Sequence, residues 1–215
     1  MRSFAFDAAA FDLTDIGNLD FLVVVTFQYR IGDAIGVRVG SGFLIDVWQD
    51  ALVTAAHVIA LPPRAVPLQV ELRFSGDRGS VSGLARSIAY LDESSGTTDV
   101  GVVRLPTNRP LEALGMHTGH IADGGAPAQI FGFVNGARKQ IDVRVTPDPN
   151  TGLLAYDPAD AGMNGMSGGP VRTASAVVGI HLGLVPGMTT NCAVPIDDGV
   201  LDHLQKAAAA AEGTS

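Results

Sequence analysis

The stretch Gly165-Met166-Ser167-Gly168-Gly169-Pro170-Val171 is a glycine-rich turn built around a single serine. Glycine reaches backbone conformations closed to other residues, so such a turn can hold a hydroxyl on a tight bend with neighbouring N–H groups aimed at one point. The chain around it is strand-like. Short apolar runs at 128–134, 139–146, 153–156, 170–172, 176–182 and 190–194 are separated by turn residues and predict one antiparallel barrel. Upstream, the runs 21–29, 36–45, 51–55, 68–74, 81–91 and 100–105 predict another. In the fourth of these, Leu68, Val70 and Leu72 alternate with polar partners, as in a half-buried strand.

The fold expected is therefore all-β: two barrels of six antiparallel strands each. Residues 106–126, poor in strand formers, read as the connection between them. Residues 1–20 read as a lead-in, with Phe4, Ala8 and Phe11 spaced like a helical face. Residues 197–211 predict a C-terminal helix, with an apolar stripe of Val200, Leu201 and Leu204, an alanine-rich end, and Asp197 and Asp198 at the positive end of its dipole. The division that follows is 1–20 lead-in, 21–110 first barrel, 111–196 second barrel, and 197–215 helix and tail.

Composition agrees with a packed fold. The 215 residues are 47% hydrophobic and 17% charged, with 26 glycines. The net charge of −8, without a Lys/Arg cluster, argues against nucleic acid and anionic membranes as partners. A single cysteine, Cys192, allows no internal disulfide. The first twenty residues carry Asp7, Asp12, Asp15 and Asp20 and lack an uninterrupted apolar stretch, so the expected location is cytoplasmic; a secreted chain trimmed of its leader would read the same way.

Three segments carry chemistry. Val53-Thr54-Ala55-Ala56-His57-Val58 follows a strand, and Thr97-Thr98-Asp99-Val100-Gly101-Val102-Val103 opens one with an acid. The third is the serine turn. A serine hydroxyl is a poor nucleophile at neutral pH and needs an imidazole to take its proton and return it to the leaving group. A carboxylate holds that imidazole in the correct tautomer. His57, Asp99 and Ser167 are the candidates for these roles. The backbone N–H groups of Gly165 and Ser167 are the candidate oxyanion donors. Asp92, Asp157 and Asp160 are rival acids, but none opens an apolar strand as Asp99 does.

The three segments resemble the signatures of the chymotrypsin-like serine peptidases over about 42–196, which implies a fold of two six-stranded antiparallel Greek-key β-barrels and a peptide or protein substrate. Met166 stands where the vertebrate digestive members have an aspartate that pairs with a newly cut N-terminus. The sequence is closer to the bacterial branches, the glutamyl endopeptidases and HtrA-type proteases. Val177-Val178-Gly179-Ile180-His181-Leu182-Gly183 resembles the Gly-Ile-His segment of glutamyl endopeptidases and the Gly-x-His of picornaviral proteases, where the histidine reads a substrate Glu or Gln in the S1 pocket. The resemblance places Gly162, Ala161, Leu182, Gly183, Asn191 and Cys192 in the same pocket. Gly162 departs from the threonine of the glutamyl endopeptidases, and Ala161 from the aspartate of trypsin.

Other signals are weaker. His117 and His120 have a ligand-like spacing without a third ligand, so neither a metal nor another cofactor is expected. Trp48, beside Gln49 and Asp50, suits a hairpin. The reading is a serine endopeptidase, with a regulatory or activating protein as a candidate partner. The alternatives are a non-catalytic interaction or sensor module on the same fold and an esterase of small substrates.

Overall fold

The computed structural model describes residues 1–8, 19–45, 50–90, 99–105, 118–185 and 188–212. Phe11, Trp48, Gln49, Asp92, Thr97, Thr98 and His117 lie outside these, as do residues 106–117 of the connection.

The first half runs β1 (Arg2–Ala5), β2 (Leu19–Ile31), β3 (Ala34–Leu44), β4 (Ala51–Thr54), a one-turn helix α1 (Ala56–Ile59), β5 (Val66–Gly76), β6 (Gly79–Leu84), β7 (Ser87–Tyr90) and β8 (Gly101–Arg104). The second runs β9 (Ala126–Val134), β10 (Ala137–Pro147), β11 (Leu154–Asp157), β12 (Pro170–Arg172), β13 (Val177–Gly183) and β14 (Cys192–Pro195), followed by helix α2 (Asp198–Glu212). The second half closes into a six-stranded barrel, β10-β11-β14-β13-β12-β9, and the first is one curled eight-stranded sheet, β1-β7-β8-β4-β3-β2-β5-β6. The fold is all-β in two halves, as the turn spacing predicts.

Two local readings change. The run 81–91 is two strands, because the sheet curls there: β6 pairs with β5, whereas β7 pairs with β8. Between them the Ala85 N–H bonds to Val70 O and the Arg86 N–H to Arg104 O, stitching the curled ends together. The lead-in is also not helical at Phe4. Arg2–Ala5 lies antiparallel to β7 with Phe4 opposite Ile88, and the Phe4 ring stacks 6.4 Å from Tyr90. An open strand edge and an aromatic partner outweigh a short helical spacing.

The cores explain how the halves are joined. Val143, Val145, Tyr156, Met166 and Val171 fill the closed barrel. The core of the curled sheet is continuous with Ile180 and Leu182 of β13 and with Val200, Leu204 and Ala207 of α2. Helix α2 packs on β7, β8 and β1. Asp197 caps it, with Oδ1 accepting the Val200 N–H at 2.8 Å. Among the described residues, no helix is long and apolar enough to cross a membrane.

Candidate active site

On the curled sheet, β4 leads through Ala55 into α1. Ala56, Val58 and Ile59 are buried, leaving His57 as the residue of the turn that faces outward. Asp99 arrives just ahead of β8 and holds His57 twice: the His57 backbone N–H donates to Oδ1 at 2.8 Å, and Nδ1 lies 2.5 Å from Oδ2. Asp157 and Asp160, the described rivals, are exposed elsewhere on the surface. A one-turn helix leaves its carbonyls without partners. Here Nη1 of Arg38, on β3, donates to the carbonyls of both His57 and Ala60 at 2.7 Å. The Arg38 guanidinium sits 5.7 Å from the Tyr29 ring centre.

On the closed barrel, Ser167 lies in the turn between β11 and β12. The Met166 N–H bonds to Met163 O at 3.0 Å, the Gly168 N–H to His181 O at 2.8 Å, and the Gly169 N–H to Met166 O at 2.9 Å. The N–H groups of Gly165 and Ser167 have no acceptor among the described residues. Gly168 must be glycine: its φ is +85°, and a Cβ there would come within 2.2 Å of Ser41 O and 2.3 Å of Thr54 Oγ1. Met166 is fully buried in the barrel core. The Ser167 hydroxyl donates to Leu182 O at 3.1 Å, and no hydrogen bond joins it to His57.

The halves meet at a cleft of about 680 Å³ lined by His57, Gly165 and Ser167, and also by Gly162, His181, Leu182, Gly183 and Asn191. Two residues expected in the pocket do not line it. Cys192 is fully buried behind β13, where its Sγ lies 3.4 Å from Gly183 O; burial, with the Asp99 charge adding to it, pushes the thiol up to about 11. Ala161 is also buried, and its carbonyl accepts from Asn191 Nδ2 at 2.9 Å. The resemblance put both residues in the pocket, but Ala161, in the segment after β11, packs into the barrel core, and Cys192, on β14, packs into the core of the curled sheet.

His181 is only 1% exposed. Burial, helped by the nearby His57, lowers its pKa to about 4, so the ring is neutral near pH 7. Its Nδ1 lies 3.0 Å from the Tyr156 hydroxyl, with the two rings stacked at 5.6 Å. Tyr156 is held well above its ordinary pKa by burial and keeps its proton. With no other acceptor near it among the described residues, that proton goes to Nδ1, which leaves the ring proton on Nε2. Nε2 faces Gly162, where a Cβ would come within 2.7 Å of it. Sequence reasoning missed Tyr156, since an aromatic on a short strand carries no motif. It also missed Arg38 and Ser41, whose roles depend on contacts between strands distant in the chain.

His120 is exposed. Among the described residues no group of three or more His, Cys, Asp or Glu is placed to hold a metal.

A curled sheet and a closed barrel with a histidine–carboxylate pair facing a serine turn across a cleft define the trypsin-like class of serine peptidase. The pattern of the trypsin-like peptidase domain matches residues 40–180, and the chain belongs to that family. No curated protein sequence matches it. Among solved structures it is similar to Deg5 at 20% identity, covering 84% of this chain and 86% of that one with a TM-score of 0.60. It is similar to the MamO protease domain of Magnetospirillum magneticum at 18% identity, covering 85% and 95% with a TM-score of 0.58. It is also similar to the serine endoprotease of Yersinia pestis at 17% identity, covering 86% of this chain and 61% of that one with a TM-score of 0.58. At these identities the likeness is one of fold.

Proposed function

We propose that the protein is a serine endopeptidase that cuts peptide bonds through an acyl-enzyme, with Ser167 as nucleophile, His57 as general base and acid, and Asp99 as the carboxylate that orients it. The observation that carries this reading is the double hold of Asp99 on His57 beside a serine turn with two unpaired N–H groups. With Nδ1–H committed to Asp99, Nε2 is left to accept a proton. The reaction begins with rotation of the Ser167 side chain from Leu182 O to His57 Nε2. Attack on the scissile carbonyl moves the hydroxyl proton to Nε2. The developing oxyanion is met by the N–H groups of Gly165 and Ser167, and the imidazolium protonates the leaving amine. Water then repeats the sequence on the ester.

For the residue before the cut, the reading is glutamine or glutamate, recognised by His181. A neutral imidazole with its proton on Nε2 donates one hydrogen bond into the cleft and brings no positive charge. Such a donor suits the uncharged amide oxygen of glutamine better than a carboxylate, which would lose its hydration without gaining a counter-charge. Gly162 leaves room at this edge of the ring, and a larger residue there would collide with it.

The test is covalent labelling by a fluorophosphonate, with cleavage of a diverse peptide library by the same sample. Labelling that maps to Ser167, with cleavage lost by about 10⁶-fold in Ser167→Ala, is the expected result. A folded protein that neither labels nor cleaves is a binding module on a peptidase fold. Cleavage confined to small esters makes it an esterase.

A further inference from the structure

We propose that Ser41 is a positioning residue for the oxyanion-binding turn, setting the direction of the Gly165 and Ser167 N–H groups from the opposite half of the molecule. The inference rests on the reading of Ser167 as the nucleophile. Ser41 sits on β3 of the curled sheet and is fully buried. Ser41 stands opposite Val24 on β2, whereas on its other edge the pairing of β3 with β4 begins only at Gly42 and Thr54, so that edge is free to bond elsewhere. Its N–H reaches across to Ser167 O at 2.8 Å. Its carbonyl accepts the Thr54 hydroxyl at 2.7 Å, three residues before His57.

The side chain adds what a backbone cannot. Ser41 Oγ donates to Gly165 O at 2.9 Å and accepts the Phe133 N–H of β9 at 2.9 Å. The Gly165 carbonyl belongs to the peptide that follows the first oxyanion donor, and the Ser167 carbonyl to the peptide that follows the second. With both carbonyls held by Ser41, the peptides on the C-terminal side of each donor are fixed, which limits the backbone torsions at Gly165 and Ser167 through which the donor peptides could turn. A hydroxyl is required because one atom must donate and accept at once. Alanine does neither, and it leaves the Gly165 carbonyl and the Phe133 N–H without their partner.

A residue that only joined the two halves would affect stability alone. A positioning residue acts on the transition state, where the oxyanion exists, and leaves the binding of uncleaved substrate nearly intact. The variants are Ser41→Ala and Ser41→Cys, the second keeping the shape with a weaker donor. With a cleavable peptide, Ser41→Ala is expected to lower kcat about 10- to 100-fold with KM within about 2-fold, since the donors are misaimed rather than removed; Ser41→Cys should fall between it and the parent. An unchanged kcat, or a loss that appears wholly in KM, overturns the proposal.

Hydrogen exchange supplies a readout independent of turnover. The amides of Met166, Gly168 and Gly169 should exchange faster in Ser41→Ala, with those of β9 and β10 unaltered away from Phe133. Unaltered exchange in the serine turn overturns the proposal. If the parent protein is inert to peptides and fluorophosphonate, the peptidase reading falls, and exchange alone decides the positioning role. If Ser41→Ala does not fold, Ser41→Cys carries both measurements, a smaller shift in the same direction being the supporting result.

Discussion

His57 and Ser167 face one cleft from halves that are built differently. On the curled sheet the histidine is tied on every side but Nε2: Asp99 holds its Nδ1 and its backbone N–H, and Arg38 holds its carbonyl. On the closed barrel the turn around the serine is tied just as closely, but the hydroxyl rests on Leu182 O. In the proposed reading the base is therefore fixed in advance, and the moving part of the site is one side-chain torsion on Ser167. Rotating a serine costs little, whereas reorienting an imidazole would break its bonds to the carboxylate.

Asp99→Asn breaks the fixed half and carries the largest effect of the variants that leave the nucleophile in place. The amide would turn an N–H toward Nδ1, forcing the ring proton to Nε2, where it blocks acceptance from Ser167. The expected loss in kcat is about 10⁴-fold, with the fold retained because Asn Oδ1 can still accept the His57 N–H. Steady-state rates and a thermal melt on one preparation check both halves of this statement. A loss below about 10-fold would mean that the ring is fixed by something other than Asp99.

The comparison also explains what was legible in the sequence. Asp99 and His57 are visible because each sits at a strand end, where a polar residue interrupts an apolar run. Ser167 is visible because its glycines are forced by close approach, as Gly168 against Ser41 and Thr54 illustrates. The six runs of the second barrel appear in the structure with shifts of a few residues. The splitting of 81–91 was hidden because Ala85 and Arg86 carry no turn chemistry, and the break comes from the curl of the whole sheet. Tyr156 and Ser41 were hidden for a related reason. Each is an ordinary strand residue whose partner is 25 or 124 positions away, at His181 and Gly165.

Specificity sharpens the contrast next. His181→Leu removes the donor while retaining an apolar side chain of moderate size. Selectivity for the preferred residue before the cut should fall by about 10³-fold, with little change on an unselective activated ester. In the parent, the ratio of kcat/KM for glutamine over glutamate should exceed one at pH 7 and shrink as pH falls toward 5, because the glutamate side chain begins to protonate near its ordinary pKa of about 4.3. Taking the ratio cancels the titration of the catalytic residues, which both substrates share. A glutamate preference at pH 7 would mean that a cation reaches the pocket and that His181 is not its reader.

The smallest effect concerns stability. In the folded state His181 titrates near 4, against an ordinary value of 6.5, because burial disfavours its charged form. Above pH 6.5 it is neutral in both states and contributes no pH dependence. As pH falls from 6.5 to 4, the unfolded chain takes up a proton that the folded one refuses, so stability is lost across that window and levels off below it. The loss from this group is on the order of 3 kcal/mol. Carboxylates titrate in the same range, so the wild-type slope alone does not isolate it. Urea midpoints at pH 7.5 and 4.5 for wild type and His181→Leu do, because the carboxylates contribute alike to both proteins. The variant, less stable at pH 7.5 through the unpaired Tyr156 hydroxyl, should lose less on acidification. Equal losses would mean that the ring charges inside the folded protein, and the neutral donor on which the glutamine reading depends would be gone.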